Sequence, residues 1–231
     1  MRNAQGLVND ILGVITKPTR RDKQVKIGPS DIGNVCERCL GMAMVGIPPD
    51  GPASPPDHFN LMAWVGTAVH LLLNNRINDE RWPGVRQEHK ITVGHIKGYG
   101  TVTGRTDLYS KSHRTALDFK TASVAKIRKW KADDEVPPAY RAQVNCYGRG
   151  LEREDLPVEE TCIFFIPRDS MSVNEIWAYI RPYDPAIAKA ALKRAEQIFT
   201  KFILPGHVEL LKSHPTCYQC NSYRRDVTFV G

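Results

Sequence analysis

Two aspartates and a lysine fall within two short segments that the sequence lays side by side. No other feature of the chain constrains its fold as strongly. Val102 to Tyr109 and Thr115 to Lys120 are rich in β-branched and apolar residues, and Ser110-Lys111-Ser112-His113 between them is a turn signal. Side chains alternate along a strand, so Asp118 and Lys120 share a face while Leu117 and Phe119 point into a core. Pairing of the segments as a hairpin brings Asp107 to the face of Asp118. Two carboxylates beside a cation suit a divalent metal that activates water against a phosphodiester. Alone, the tripeptide Asp118-Phe119-Lys120 also describes a solvated strand face with a surface ion pair.

The flanking sequence adds helices around these strands. Residues 1–27 are polar and basic apart from Ile11 to Ile15, and read as an arm or a loosely docked helix. Pro29-Ser30-Asp31-Ile32 reads as a helix start with Ser30 as the cap. Ile47 to Asp57 is a proline-rich loop, and Asp57 caps a helix from His58 to about Asn78. Phe59, Met62, Val65, Val69 and Leu73 keep core spacing in that helix, and His70 stands one turn after Gly66. Strands are expected at Val85 to Val93, at Tyr99 to Tyr109 with a break at Gly104, at Cys162 to Pro167 and at Val173 to Arg181. A helix from Pro138 to Leu151 sets Gln143 and Tyr147 on one face at i, i+4. Asp184-Pro185 opens a last helix, which runs through Ile198 and Phe202 to Pro205-Gly206. This alternation predicts an α/β fold with a mixed central sheet flanked by helices, as a single domain over residues 28–231.

No apolar stretch reaches membrane-spanning length and the N-terminus lacks a secretory pattern. The expected place of action is the cytoplasm, that of a host cell if the chain is phage-encoded, with no membrane partner. The net charge of +7 is concentrated in two runs. Lys17 to Lys26 is one; the other follows Lys120 and holds Lys126, Arg128, Lys129 and Lys131. Both read as polyanion-binding surfaces or as solvated basic faces. Trp130 either stacks on a base or is partly buried.

Of six cysteines, four form two Cys-x-x-Cys pairs near opposite ends: Cys36 with Cys39, and Cys217 with Cys220. Such pairs suit one four-thiolate metal centre joining the N- and C-terminal parts; the bland alternative is two unrelated turns with free thiols. Cys146 and Cys162 read as core.

The succession Gly66-x-x-x-His70, Glu88, Gly104-Arg105-x-Asp107, Asp118-x-Lys120 and Gln143-x-x-x-Tyr147 resembles the RecB-like branch of the PD-(D/E)XK nuclease superfamily. Within it, the chain is most similar to small single-domain phage or prokaryotic exonucleases, including the CRISPR-associated type. The resemblance covers roughly residues 28–225. It implies a restriction-endonuclease-like core with magnesium or manganese at the active site. His70, Asp107, Asp118 and the backbone carbonyl of Phe119 would be metal ligands, with Glu88 completing the site. Lys120 would orient or deprotonate the attacking water. Gln143 and Tyr147 would contact DNA or support the lysine, and Arg105 would meet a phosphate or solubilise its strand.

The implied function is a metal-dependent DNA nuclease, an exonuclease of recombination or repair. Its substrate would be single- or double-stranded DNA with ends, and a separate helicase or recombination protein is its expected partner. A structure-specific or single-strand endonuclease and a non-catalytic nucleic-acid-binding module are the alternatives. Several members of the family hold an iron–sulfur cluster with one early and three late cysteines. The partition here is two and two, which keeps zinc open, while the family precedent tips the expectation slightly toward an iron–sulfur cluster.

Overall fold

Five strands form one sheet in the computed structural model, which describes residues 2–15, 26–47, 61–77, 82–215, 217 and 220. Strands β1 (Val85–Ile96), β2 (Gly100–Ser110) and β3 (Thr115–Ala122) run as an antiparallel meander. Strand β4 (Glu160–Pro167) lies parallel to β3, and β5 (Trp177–Pro182) closes the order antiparallel to β4. A parallel neighbour cannot be reached by a hairpin. The chain therefore crosses over through two helices between β3 and β4, Val124–Asp133 and Pro138–Glu152.

Alternation along the strands divides the apolar residues between two cores. Ile91, Val102, Tyr109, Ala116, Ile163 and Phe165 belong to the larger one, which also takes in Val144 and Leu151 of the second crossover helix. The C-terminal helix Pro185–Ile198 adds Ala188, Leu192, Ala195 and Ile198. Val85, Leu108 and Phe119 form the smaller core, against which Leu73 and Ile77 pack from the helix Leu61–Arg76 and its end. In chain order the helices are α1 (Arg2–Ile15), α2 (Pro29–Ile32), α3 (Glu37–Met44), α4 (Leu61–Arg76), α5 (Val124–Asp133), α6 (Pro138–Glu152) and α7 (Pro185–Ile198). The result is the expected mixed sheet flanked by helices, with four cysteines bridging its N- and C-terminal regions. None of the described helices is long and apolar enough to cross a membrane.

Local chemistry explains the boundaries. At the start of α7, the Asp184 side chain accepts from the Ala186 amide at 2.8 Å and Pro185 occupies the first helical position. Helix α2 is one turn long, and its capping bond runs from the Gly28 amide to Asp31 Oδ2 at 2.8 Å, so Asp31 takes the part expected of Ser30. Strand β2 continues through Gly104 without a break. Residues 173–175 are a 3-10 turn rather than strand, because Ser172 Oγ accepts the Asn174 amide at 3.2 Å; the strand starts at Trp177. Helix α5 carries little periodic signal and buries only Ile127. Helix α4 has no fully buried residue, and Met62, expected in its core stripe, is exposed. The basic residues 17–25, most of the proline-rich loop, its cap Asp57 and Phe59 lie outside the described residues.

Candidate active site

The β1–β2 ladder pairs Gln87 with Leu108 and His89 with Thr106, and skips the pair between them, Glu88 and Asp107. The β2–β3 ladder ends at Leu108 and Leu117, one step short of Asp107 and Asp118. Three acids thus lie in register across three strands, where one ladder skips a pair and the other ends. Adjacent carboxylates repel, so each takes a different partner. Asn74 of α4 donates to Glu88 Oε1 at 3.1 Å. The Phe119 amide donates to Asp107 Oδ2 at 2.8 Å, in place of a strand partner. Lys120 sets its Nζ 2.6 Å from Asp118 Oδ2 as an ion pair.

Asp118 is fully buried, and its oxygens meet the Lys120 ammonium and the Tyr147 hydroxyl rather than a regular set of backbone donors. One ammonium cannot fill every lone pair of a carboxylate, and a buried carboxylate short of partners is costly. Asp107 is also buried. Its carboxyl is pushed up to about 8 by burial and then by the Asp118 charge, against the pull of the Phe119 amide and Lys120. A divalent cation between these acids would relieve both effects, so the donor set fits a hard metal ion.

His70 enters from α4. Its Nε2 lies 3.0 Å from the Phe119 carbonyl, which can only accept, so Nε2 carries the proton. Nδ1 then faces Asp107 Oδ2 at 3.6 Å. Ligand atoms of His70, Glu88 and Asp107 lie within 4.8 Å of one another and form one group able to hold an ion; Asp118 stands outside that group. The Phe119 carbonyl, expected as a ligand, is the acceptor of His70 here.

Two glycines of the recognised motifs make room. A Cβ on Gly104 would come within 2.5 Å of the Pro29 ring, so α2 could not seat against β2. A Cβ on Gly66 would touch Thr121 Oγ1 at 3.4 Å. Behind the acids, Gln143 Nε2 donates to the Tyr147 hydroxyl at 2.7 Å, and both residues are buried. Burial, and then the charges of Asp118 and Asp107, hold the Tyr147 hydroxyl well above its ordinary pKa.

These residues open onto a cleft of about 1260 Å³, whose walls carry Lys26, Lys90, Arg105, Lys120 and Arg168. The α5 run does not line it. Arg128 pairs with Glu175, and Lys129 with Asp133, both on the surface. Trp130 packs against the Tyr140 and Phe165 rings. Arg105 Nη1 donates to the backbone carbonyl of Glu88 at 2.8 Å. The sequence reading missed Asn74, Lys90 and Arg168. Asn74 had a usable signal, since it follows His70 by four residues and shares its helix face.

In the second cluster, Cys36 Sγ lies 3.2 Å from Cys220 Sγ, and Cys39 Sγ lies 3.4 and 3.5 Å from those of Cys217 and Cys220. The His214 amide donates to Cys36 Sγ at 3.3 Å. Cys36 is lowered to about 7, its backbone and thiol hydrogen bonds outweighing burial. Cys146 and Cys162 are buried and apart from this group.

No protein-family model matches the chain, and no curated protein matches its sequence. Among solved structures, SSO0001 shares the fold at a TM-score of 0.53 and 15% identity, over 86% of this chain and 88% of that one. A phage-related exonuclease from Haemophilus somnus 129PT gives a TM-score of 0.45 at 13% identity, over 63% of this chain and 74% of its own. LHK-Exo, solved in complex with dAMP, gives 0.47 at 10% identity over 81% and 91%.

Proposed function

We propose that the chain is a divalent-metal-dependent deoxyribonuclease of the PD-(D/E)XK type. The observation that carries this reading is Asp118, a wholly buried carboxylate paired with Lys120 at 2.6 Å and in register with Asp107 and Glu88. Magnesium or manganese at these acids would activate a water and neutralise charge at phosphorus. His70 Nδ1, Glu88 and Asp107 would hold one ion, with Asp118 and the Phe119 carbonyl as further donors. Lys120, reached from the cleft, orients the attacking water through its ammonium and stabilises the charge that develops. Lys90, Arg168 and Lys26 fix the phosphate backbone along the cleft.

The motif order favours an exonuclease acting in the cytoplasm on DNA ends, which a separate helicase or recombination protein would expose. The test compares linear with covalently closed circular DNA, single- and double-stranded, in magnesium, manganese or EDTA. Metal-dependent loss of linear DNA with circles spared is the expected result. Cut circles would make the activity endonucleolytic; intact DNA under every condition would leave a binding module and overturn the reading.

For the four cysteines we propose a single tetrahedral ion of the zinc type. Zn–S bonds of about 2.3 Å place thiolates roughly 3.8 Å apart, close to the 3.2–3.5 Å separations here. A cluster interposes several irons and sulfides and spreads its ligands further.

A further inference from the structure

Glu88 is the one residue of the acidic row that departs from extended backbone: its φ is +45°, in the left-handed region, in the middle of strand β1. A β-carbon makes that conformation costly, and a glutamate gains nothing locally that would offset it. The surroundings impose it from two sides. Arg105 Nη1 donates to the Glu88 carbonyl at 2.8 Å, and Asn74 Nδ2 donates to Glu88 Oε1 at 3.1 Å. The kink also removes Glu88 from the ladder opposite Asp107. It leaves the Glu88 carboxylate within 4.8 Å of ligand atoms on His70 and Asp107, with Oε1 held from outside the group.

We infer that Asn74 and Arg105 are positioning residues that hold Glu88 in a strained conformation so that its carboxylate meets the metal. The inference rests on the metal site proposed above and deepens it. Neither residue needs to touch DNA for this role. Arg105, facing the cleft, works through the Glu88 backbone, and Asn74 orients the carboxylate through Oε1. Hydrogen bonds of this outer kind fix ligand orientation and govern metal affinity.

The test is Mn²⁺ binding to the full-length protein without DNA, read by electron paramagnetic resonance and calorimetry. Signal lost in Asp107→Ala defines the site. Asn74→Ala and Arg105→Ala should each weaken that binding about 10–100-fold, with the melting temperature of the metal-free protein little changed. Alanine suits a helix position better than asparagine, so Asn74→Ala should fold. A second pair reads the strain: Glu88→Gly and Glu88→Gln both remove the charge, but only glycine accepts φ +45° freely. Metal-free Glu88→Gly should melt about 2–4 °C above Glu88→Gln. Wild-type affinity in both outer variants, or a Glu88→Gly protein melting no higher than Glu88→Gln, overturns the inference. Absence of saturable Mn²⁺ binding to the wild-type protein overturns the parent site as well, which separates the two failures.

Discussion

Asp107 and Asp118 occupy what would be the next paired position of the β2–β3 ladder, yet the strands are not bonded there, and Asp107 instead captures the amide of Phe119. The gap exposes one edge of β3 a single step past its last antiparallel pair. Both polar backbone groups of Phe119 on that edge are then taken by site residues, the amide by Asp107 and the carbonyl by His70. The geometry of the candidate site is therefore tied to the backbone of the sheet through these side chains.

Removal of any one of Asp107, Asp118 or Lys120 by alanine should reduce cleavage by at least the ~10²–10⁴-fold that a proton-transfer group supplies. DNA binding should survive, because Lys26, Lys90 and Arg168 remain on the cleft walls. Single-turnover rates and filter binding on the same preparations check this. A folded Asp118→Ala protein that still cleaves well would remove Asp118 from the site.

Acidity makes a second prediction. The Asp107 carboxyl is pushed up to about 8 from the ordinary 3.8, by burial first and the Asp118 charge second. Between those values the folded protein holds a proton that the unfolded chain has lost. Stability from this group is complete below about pH 4 and is lost as pH rises through about 8. Metal-free protein should accordingly lose melting temperature over that window. Mn²⁺ competes for the same carboxylate, so it should bind more tightly at higher pH and flatten the loss. Melting curves from about pH 5 to about pH 8.5, with and without Mn²⁺, read both effects; equal slopes would contradict the assignment.

Position in the cleft also sorts the cations. Changing Lys90 and Arg168 to glutamine should lower the slope of log affinity against log salt by about 0.7–0.9 for each phosphate no longer neutralised. The same change at Arg128 and Lys129 should have a smaller effect, since their charges sit at Glu175 and Asp133 outside the cleft. A larger slope change from the α5 pair would move the DNA path across α5.

Where the signal was local, the sequence was informative. The hairpin, the Asp118–Lys120 face and the i, i+4 pair Gln143 and Tyr147 follow from alternation and helical spacing, and β-branched runs bounded by turn residues marked most strands. Tertiary effects were not readable. The ion pair of Arg128 joins α5 to Glu175, which the pattern does not name, whereas Lys129 and Asp133 are an i, i+4 pair within α5; Lys90 and Arg168 come together only when β1 and the end of β4 fold onto one cleft. Glu88 reads as an ordinary strand charge, because nothing in Gln87-Glu88-His89 announces a left-handed backbone. The bond from Asn74 crosses from α4 to β1 and is visible only in three dimensions.

The four thiolates join positions 36 and 39 to 217 and 220, so one ion would close nearly the whole domain. Without it, thiols held 3.2–3.5 Å apart gain little, and Cys39 is forced far above its ordinary pKa by burial and its sulfur neighbours. A bound cation reverses that balance by stabilising every thiolate, and binding energy at such a site is folding energy. Any single Cys→Ser change should therefore lower melting temperature and soluble yield first, with activity falling only in step with the folded fraction. Four thiolates would leave no open coordination position, so the proposed centre would hold structure and take no part in cleavage. Metal analysis of the purified protein should find one zinc per chain and no visible colour. Stripping that metal with a strong chelator should unfold the ends without abolishing Mn²⁺ binding at Asp107 in whatever fraction stays folded. A brown protein with several irons per chain would replace the single ion with a cluster. Four thiols that react freely in folded, metal-free protein of unchanged stability would show that no centre forms.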